Sequence, residues 1–453
     1  MLFILYINNI FTITKIKNRY NIFWVLEVTV LNLKYLIDNE KEVRELFKTR
    51  KVDFELLDKL FSIAKMRGKL MFEAQQKKAL LISKSKNLSK EKTNKDKFEM
   101  LKNELSILKK EQIILEKKAD DLDIEVKDII NKIPNLPLKD VPLGEDDSQN
   151  IVLKTHDNLG RGLISKNVKP HYEIAHELGL FDTERASKLS GSRFVIYKDD
   201  GARLARALQN YLLDLHSNNN YQEIDVPVLV KPNIMYGTGQ LPKFKEDLFY
   251  LEKENLYLIP TAEVPVTNLY NNEIIDLSKP IKLTAFTPCF RSEAGSGGKD
   301  TKGIIRLHQF KKVELVKITS KKDALEEFDQ LLEQAKLVLE NLELPYRELL
   351  LCRGDLGFSS KKTIDLEVWL PSEMKYREIS SVSYMGDFQA RRAMIRYRNS
   401  EGEIEYAHTM NGSGLAIDRL IAAILENYQQ EDGSIIVPKK LVPYMQGKEK
   451  IEK

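Results

Sequence analysis

The chain of 453 residues is long enough for two domains, or for one large domain with an appendage. Hydrophobic residues make up 42% of it and charged residues 30%, which excludes a disordered or a membrane-embedded chain; no run of about 18 apolar residues occurs. The net charge of +4 is too small to indicate a partner by itself. Cys289 and Cys352 form no CxxC pair, so we expect no zinc site and a reducing, cytoplasmic setting.

Residues 1–30 form an apolar, mildly basic extension that Asn8 and Asn9 interrupt. The stretch lacks a small-residue cleavage site, which argues against a secretory signal. Glu27 is its only acidic residue, as in organelle transit peptides, but it is poor in serine. We favour an upstream start on a chain that begins near Val28 or Val30, with a targeting segment as the alternative.

A helical arm is predicted over residues 31–135. Residues 31–50 suit a short helix, and two longer segments then repeat apolar residues at spacings of three and four, which is typical of a coiled-coil seam. The seam residues are Leu57, Phe61, Ala64, Met71, Ala74 and Leu81, then Phe98, Leu101, Leu105, Leu108, Leu115, Ala119, Leu122, Val126 and Ile129. A polar turn near 87–96 joins the two segments, so we expect an antiparallel hairpin.

Positive charge is concentrated on this hairpin. Residues 61–110 contain 14 Lys or Arg and 5 Asp or Glu, so they carry +9 while the whole chain carries +4. Cations along a rod remote from a core are typical of a surface that binds nucleic acid. A solvated coiled-coil face is the alternative, and for the pattern alone it is the simpler interpretation.

Three prolines mark the end of the arm and the start of a domain over residues 136–453. Pro134, Pro137 and Pro142 cannot continue the second long helix. Pro227 is predicted inside a strand, at a position where the ladder hydrogen bond is not needed. The elements predicted in this domain are helices over 171–182, 201–217 and 324–342, strands over 192–197, 221–230, 256–267 and 362–369, and a strand end that turns into a helix over 412–428.

The stretch from Phe286 to Glu314 carries the densest chemistry. An apolar run, a Gly-rich polar loop and an alternating run predict a long antiparallel hairpin. It brings together two guanidiniums, a carboxylate and an aromatic ring that suit a bound nucleotide: Arg291, Arg306, Glu293 and Phe310. An ordinary surface hairpin is the alternative. A P-loop is excluded, because Gly298-Lys299 lacks the Ser or Thr that must follow it and the Gly that must precede it by five residues.

Four sequence blocks of the chain resemble motifs of the class II aminoacyl-tRNA synthetases, in the form seen in seryl-tRNA synthetases of bacterial type. The hairpin supplies FRSEAG and RLHQFKKVE, which resemble motif 2 of that class. The others are TAEVP at 261–265, EISSVS-x-x-x-DFQARR at 378–392 and NGSGLAIDR at 411–419. The resemblance covers the chain from about residue 31 to the C-terminus, and several ordered blocks are far more specific than one.

The resemblance implies an α+β fold, in which helices flank a class II antiparallel sheet and the N-terminal antiparallel coiled-coil arm projects from it. It implies an enzyme that activates L-serine with ATP to seryl-adenylate and transfers the seryl group to tRNA-Ser, with tRNA-Sec left open. The basic arm is then expected to bind tRNA-Ser. The helix at 201–217 and the strand with Pro227 resemble motif 1, which implies a homodimer.

The resemblance also implies roles for residues that match the motifs, with Arg291, Glu378 and Arg419 as the catalytic set. Arg291 is expected at the α-phosphate, and Arg306 and Arg419 at the outer phosphates. Glu293 is expected beside the adenine amine and Phe310 against the adenine ring. The implied ATP site consists of Arg291, Ser292, Glu293, Arg306, Phe310, Glu378, Ile379, Ser380, Ser381 and Arg419.

Magnesium and serine have their own implied ligands. Glu378 and Ser381 are expected to hold Mg²⁺, a hard ion that prefers oxygen ligands. The implied serine site consists of Thr261, Ala262, Glu263, Glu314, Asn411 and Ser413. Val382, Tyr384 and Met385 depart from the residues that the family often has, but none is an implied ligand.

Three other functions share part of this pattern. A relative that charges a carrier protein instead of tRNA normally lacks a basic arm, which this chain has. An inactive core on an RNA-binding coiled coil is expected to have lost Arg291, Glu378 or Arg419, and all three are present. Another class II synthetase is the third alternative, but the TAE and NGSG blocks together favour serine.

Overall fold

The computed structural model describes residues 30–88, 95–159, 163–164, 168–294 and 302–453. The predictions for residues 1–29, for most of the arm's turn and for the Gly-rich loop with Gly298-Lys299 lie outside these ranges. Within them, no helix is long and apolar enough to cross a membrane.

The chain after the arm contains both helices and strands. The helices are α1 Leu33–Asp38, α2 Glu40–Phe47, α3 Phe54–Leu88, α4 Lys95–Ile130, α5 His171–Glu177, α6 Thr183–Ser190, α7 Asp199–Ser217, α8 Pro232–Gly237, α9 Glu263–Thr267, α10 Ala324–Asn341, α11 Phe388–Ala393 and α12 Ile417–Asn427. The strands are β1 Ile151–His156, β2 Phe181–Asp182, β3 Ile196–Tyr197, β4 Gln222–Glu223, β5 Leu229–Val230, β6 Tyr250–Leu251, β7 Leu256–Leu258, β8 Ile274–Ile275, β9 Ile281–Phe290, β10 Gln309–Thr319, β11 Tyr346–Leu350, β12 Lys362–Leu370, β13 Lys375–Gly386, β14 Arg396–Arg398, β15 Ile404–Tyr406, β16 His408–Ala416, β17 Ile435–Ile436 and β18 Lys450–Ile451.

The first predicted helix is two helices, because Asn39 separates them. Its backbone N–H and its side-chain Nδ2 both donate to the carbonyl of Tyr35 at 3.0 Å, which closes α1. Asn39 then serves as the N-cap position of α2. Asparagine competes for backbone partners in this way and so favours helix ends over helix interiors.

The coiled-coil hairpin of the prediction is confirmed as α3 and α4. Lys77 pairs with Glu111 at 2.7 Å and Arg67 with Asp123 at 2.8 Å, so the two helices run antiparallel. Every predicted seam residue is at least partly buried except Met71, which is 41% exposed. Two helices alone cover only one narrow stripe, which explains why most of the seam away from the base is only partly buried.

The base of the arm packs against the rest of the chain. Leu57, Phe61, Val126 and Ile129 join a cluster that also holds Phe388 of α11, which is fully buried. A core that spans both parts fixes the arm's direction relative to the rest of the chain.

An eight-stranded sheet forms the centre of the second part, in the order β1-β11-β12-β13-β16-β10-β9-β4. All neighbours are antiparallel except β4, which runs parallel to β9. One face packs on α7, α10 and α12 through a large apolar cluster that contains Val313, Leu315, Leu366 and Val382. The sheet and its flanking helices confirm the predicted α+β class.

Two of the predicted strands are wrong because proline divides them. The run 221–230 forms β4 and β5, which belong to different sheets, and Pro227 lies between them. The run 256–267 is a strand only to Leu258, and Glu263–Thr267 is the short helix α9. Thr261 lies just before the N-cap residue Ala262, and its Oγ1 accepts from the N–H of Glu263 at 3.2 Å. Pro265 is tolerated because the first turn of a helix needs no N–H there.

The other predicted elements differ mainly in length. The helix predicted over 171–182 ends at Glu177, and β2 follows it. The strand predicted over 192–197 is confined to β3. The elements predicted over 201–217, 324–342, 362–369 and 412–428 are present as α7, α10, β12, and the end of β16 with α12.

Candidate active site

One face of the sheet carries the side chains that the motif blocks singled out. Phe310, Lys312 and Glu314 alternate along β10 and therefore point to the same face. On the neighbouring strand β16, Ser413 pairs with Glu314 and Asn411 pairs with Val316, so both lie on that face as well. The antiparallel hairpin β9–β10 therefore places the Phe310 ring and the buried Glu314 carboxylate on one face of one strand, four residues apart.

The residues that the resemblance implies at ATP, called the nucleotide half below, include several at the mouth of the hairpin. The Arg291 guanidinium lies over the Phe310 ring, 5.1 Å from its centre, and its Nε donates to the carbonyl of Pro260 at 3.3 Å. Arg306 Nη1 lies 2.6 Å from Glu293 Oε2. The structure therefore brings together the two guanidiniums, the carboxylate and the ring that the sequence predicted, as two contacting pairs.

Ser292 lies in the same segment but is engaged with the backbone. Its Oγ donates to the carbonyl of Glu246 at 2.7 Å, and its N–H donates to the carbonyl of Asp247 at 3.1 Å. These bonds hold the turn at 245–247 against the hairpin. Of the residues implied at ATP, Ile379 and Ser380 are also turned inward: both are buried, and Ser380 Oγ donates to the carbonyl of Ser413 at 2.8 Å.

Arg419 and Glu378 meet at the other side of the nucleotide half. Arg419 is the third residue of α12, and its Nη1 donates to the Glu378 carbonyl at 2.6 Å and lies 3.5 Å from the Glu378 carboxylate. Its Nε donates to the Ile305 carbonyl at 3.3 Å. A guanidinium at a helix N-terminus adds to the positive potential there, which suits phosphate.

The residues that the resemblance implies at serine, called the serine half below, include a cluster of buried polar groups around Glu314, whose side chain is fully buried. Its carboxylate accepts from Thr261 Oγ1 at 2.7 Å and from Asn411 Nδ2 at 3.2 Å, and it forms an ion pair with Lys312. Asn411 Oδ1 is buried with no hydrogen-bond partner among the described residues. A buried acceptor without a partner is costly, so this pocket is suited to a ligand that donates hydrogen bonds.

Glu263 is the second carboxylate of this half. It is 7% exposed, and its Oε1 accepts from Gln389 Nε2 at 2.7 Å. Burial, and then the neighbouring Glu314 carboxylate, raise the pKa of Glu263 to about 7. A cation placed beside this group would favour its ionised form. Ala262, which precedes it, is fully buried, and Ser413 is half-buried.

Comparison with known proteins decides the family. Residues 30–137 match the Seryl-tRNA synthetase N-terminal domain, and residues 245–428 match the tRNA synthetase class II core domain (G, H, P, S and T). The serine--tRNA ligase of Mycoplasmopsis agalactiae is 64% identical over 422 residues, which are 93% of this chain and 100% of that protein. This chain belongs to the seryl-tRNA synthetases.

Solved structures of other seryl-tRNA synthetases have the same fold. The enzyme from Pyrococcus horikoshii complexed with ATP superposes with a TM-score of 0.87 at 30% identity, and covers 93% of this chain and 99% of its own. The cytoplasmic serine-tRNA ligase from Naegleria fowleri in complex with AMP gives 0.83 at 29% identity, with 94% and 98% covered.

The residues implied at Mg²⁺ in this synthetase lie on one face of β13. Glu378 pairs with Glu367 and Ser381 pairs with Asp365, while Ile379 is an extra residue that shifts the register between them. Oδ1 of Asp365 is buried without a hydrogen-bond partner among the described residues. Burial, and then the Glu378 carboxylate, raise the pKa of Asp365 well above its usual range.

Hard oxygen donors around an excess of negative charge fit Mg²⁺ better than a softer metal. The described residues contain no group of three or more His, Cys, Asp or Glu side chains that could hold a metal ion alone.

Four residues of the site were missed from the sequence. Lys312 neutralises Glu314, and Gln389 holds Glu263. Asp365 reaches the site from β12. Asp418, which is buried, accepts from the N–H of Lys311 at 2.8 Å and from the Tyr197 hydroxyl, and thereby ties α12 to β10. Strand alternation from Glu314 was a signal for Lys312, but the other three arrive through tertiary packing.

Proposed function

We propose that this chain activates L-serine with ATP and transfers the seryl group to tRNA-Ser. The observation that carries the proposal is the single sheet face that Phe310 and Glu314 share, each two residues from Lys312 on β10. It places a ring suited to adenine beside a buried carboxylate suited to a hydroxyl. The family of the chain agrees with both steps.

In the first step, a serine carboxylate oxygen attacks the α-phosphorus of ATP. The new oxygen–phosphorus bond gives seryl-adenylate, and the bond to the bridging oxygen breaks to release pyrophosphate. The substrate itself is the nucleophile, so the protein contributes positioning and neutralisation of charge. In the second step, a hydroxyl of the terminal adenosine of tRNA takes the seryl group and AMP leaves.

Each side chain of the nucleotide half has a task in this scheme. Arg291 binds the α-phosphate, where charge changes during the reaction, and Phe310 stacks on adenine. Arg306 and Arg419 hold the outer phosphates as bidentate donors. Glu293 accepts from the adenine amine. The contacts of these arginines with Glu293 and Glu378 support the scheme, because they pre-position the guanidiniums before ATP binds.

Mg²⁺ would be held by Glu378 and Ser381. When bound, it would neutralise phosphate charge and fix the phosphate chain. Ile379 and Ser380 contribute the strand backbone between these two ligands, and Ser292 contributes the turn that supports the hairpin.

We assign the serine pocket to residues of β10, β16 and the turn at α9. Glu314 accepts from the serine hydroxyl, and Glu263 pairs with the serine ammonium. Thr261 and Asn411 keep Glu314 in place, while Ala262 and Ser413 line the pocket. Bound alanine would leave buried polar groups unpaired, so we expect the enzyme to prefer serine over alanine by a factor of about 10⁴. Threonine is excluded by shape, and its one extra carbon costs about 1–3 kcal/mol of binding free energy.

The remaining parts of the proposal concern tRNA and assembly. We assign residues 31–135 to the tRNA-binding arm, residues 136–453 to the catalytic domain, and residues 1–30 to an extension. The basic hairpin binds tRNA-Ser, mostly through its backbone and shape. A homodimer forms through residues 201–230. The buried free thiols of Cys289 and Cys352 suit a reducing compartment, so we propose a cytoplasmic enzyme.

The deciding experiment is ATP–pyrophosphate exchange with each of the twenty amino acids. Serine is expected to support exchange without tRNA, and threonine is expected to be the most frequent error. Activity with threonine or proline and none with serine would overturn the proposal. Equal activation of alanine and threonine would argue against a polar pocket for the hydroxyl.

A further inference from the structure

The block DFQARR, residues 387–392, has no part in the scheme above. It forms the short helix α11 and its N-cap. Two sides of this helix make contacts of different kinds. Gln389 reaches the serine half of the site, whereas Phe388 and Arg392 reach the base of the arm.

On the serine side, Gln389 is 1% exposed, and both ends of its amide are hydrogen-bonded to other residues of the protein. Its Nε2 donates to Glu263 Oε1 at 2.7 Å and to the Thr238 carbonyl at 3.3 Å. Its Oε1 accepts from Thr409 Oγ1 at 2.7 Å. Because a carboxylate and a carbonyl can only accept, these partners determine which end of the amide faces Glu263. The amide therefore holds Oε1 of Glu263 in place.

On the arm side, Arg392 donates to the carbonyl of Asn131, the residue after α4, at 3.3 Å. Its guanidinium lies 4.8 Å from the ring centres of both Tyr236 and Phe388. The Tyr236 hydroxyl donates to Asn131 Oδ1 at 2.7 Å. Phe388 itself is fully buried in the cluster formed by the base of the arm.

We infer that α11 links the base of the arm to the serine pocket, with Gln389 as a positioning residue for Glu263 and Arg392 as the anchor at the arm. The inference rests on the proposed function, because it takes Glu263 as the partner of the serine ammonium. A helix of six residues is too short to bend within itself, so a shift of the arm base moves Gln389 with it. The arm thus supports amino-acid binding as well as tRNA binding.

The serine end is tested with Gln389→Met, which keeps length and removes the donor. The expected result in serine-dependent exchange is a KM for serine raised by about ten- to hundredfold, the size expected for one hydrogen bond to a charged group. The KM for ATP is expected to stay within twofold. The pH above which serine binds more tightly is expected to move upward, because Gln389 is one of the groups that lower the pKa of Glu263. A general loss of structure would raise both KM values and would not move the pH profile.

The matched control is Gln429→Met. The Gln429 amide also donates to backbone carbonyls, but these belong to Lys169 and Glu426, which are not residues of the proposed serine pocket. This control is expected to leave both KM values unchanged. If Gln389→Met does not fold, Thr409→Val carries the test, with a smaller rise in the serine KM. A serine KM within twofold of the wild type, or an equal rise in the ATP KM, overturns the assignment of Gln389.

The arm end is tested with Arg392→Lys, which keeps the charge and loses the planar stacking on two rings. The serine KM measured without tRNA is expected to rise about three- to tenfold, in line with a partial loss of contact. Arg391→Lys in the same helix is the control, because Arg391 pairs with Asp387 at 2.6 Å and lies over Tyr406, away from the arm. An unchanged serine KM in Arg392→Lys would overturn the link. If the wild type fails to exchange with serine, the proposed function fails instead.

Discussion

Glu378 and Ser381 lie on the same face of β13, although residues three apart on a regular strand lie on opposite faces. Ile379 makes the difference, because it is the extra residue of a β-bulge and shifts the pleat by one position. The bulge places both of these proposed Mg²⁺ ligands beside Asp365 of the neighbouring strand. Two motif residues with a spacing that is typical of a helix thereby become a site on a strand.

This relationship predicts a specific effect of Ser381→Ala. Removing one oxygen ligand is expected to raise the Mg²⁺ concentration for half-maximal exchange several-fold, with little change in the serine KM. Ser383→Ala is the control, because Ser383 lies on the same face but its hydroxyl is bonded to Thr363 at 2.8 Å. A magnesium titration of both variants measures the effect. An equal requirement in Ser381→Ala and the wild type would remove Ser381 from the metal site.

Sequence patterns predicted what depends on local order. The apolar run and the alternating run that ends at Glu314 predicted an antiparallel hairpin, and the register of β9 and β10 confirms it. The seam of the arm was equally clear, because heptad spacing leaves few other structures open. The resemblance of the motif blocks to class II synthetases then implied which residues belong to the ATP site and which to the serine site.

Other features had no local signal. The bulge at Ile379 depends on pairing with β12, which no spacing within β13 reveals. A short helix begins after Thr261, whose side chain bonds the backbone, in a run whose apolar residues suggested a strand. Gln389 lies 126 residues from Glu263, so only tertiary packing makes them neighbours. A pattern within a short stretch of sequence predicts the type of element and its buried face. Contacts between residues far apart in sequence can be identified only from the folded structure.

A second prediction concerns Arg291. Arg291→Ala removes the charge-assisted donor proposed to bind the reacting phosphate and also uncovers the Phe310 ring, 5.1 Å away. The rate of adenylation is expected to fall by roughly 10²–10³. Arg291→Lys keeps the charge but not the planar fork, so it is expected to recover only part of the loss. Single-turnover formation of seryl-adenylate is the measurement, and a rate for the alanine variant within a few-fold of wild type would contradict the role.

The raised pKa of Glu263 predicts how serine binding depends on pH. In the free enzyme this pKa is about 7, because burial and Glu314 outweigh Gln389, Lys312 and Arg291, which lower it. Only the ionised carboxylate forms an ion pair with the serine ammonium, so the serine KM is expected to fall as pH rises from about 6 to about 8. In Glu263→Gln the serine KM is expected to be high and to lose this pH dependence. The ATP KM over the same range is the control.

The same pKa predicts a pH effect on stability. Between the ordinary value of 4.5 and about 7, Glu263 is protonated in the folded enzyme and ionised in the unfolded chain. Stability therefore falls as pH rises through this window, and the cost is fully present above it. Glu263→Gln removes that cost, so it is expected to raise the Tm of the ligand-free enzyme more at pH 8 than at pH 5. A gain that is larger at the lower pH would contradict the protonation of Glu263.

A pair of glycines offers a comparison within one strand. A Cβ on Gly414 would lie 2.8 Å from His216 Nε2 and 3.1 Å from Val313 Cγ1, and both side chains are fully buried. A Cβ on Gly412 would meet nothing nearer than Val382 Cγ2 at 3.3 Å. Gly414→Ala is therefore expected to cost about 1–3 kcal/mol of stability and to weaken serine binding, with a smaller effect for Gly412→Ala. Thermal unfolding ranks the two, and the opposite order would show that His216 can move aside.

The last prediction separates tRNA binding from catalysis. The base of the arm is part of a core with Phe388, so a deletion has to spare Leu57, Phe61, Val126 and Ile129. We therefore remove residues 71–117, which contain 12 Lys and 7 Asp or Glu, and join their flanks with a short Gly/Ser linker. In the full chain, the ion pairs Arg67–Asp123 and Lys77–Glu111 lie on either side of the positions to be joined, so α3 and α4 are adjacent there.

Serine-dependent exchange in the shortened enzyme is expected to stay close to the wild-type level, because the proposed ATP and serine ligands all follow residue 260. Charging of tRNA-Ser is expected to fall steeply, since the deleted lysines would supply phosphate contacts and release of counterions. In the full chain, the affinity for tRNA-Ser should weaken as salt rises while that for serine barely changes. A wider deletion over residues 57–129 is expected to lower exchange too, since it opens the core at Phe388. If the shortened enzyme charges tRNA-Ser as well as the full chain, the basic hairpin is only a solvated coiled coil.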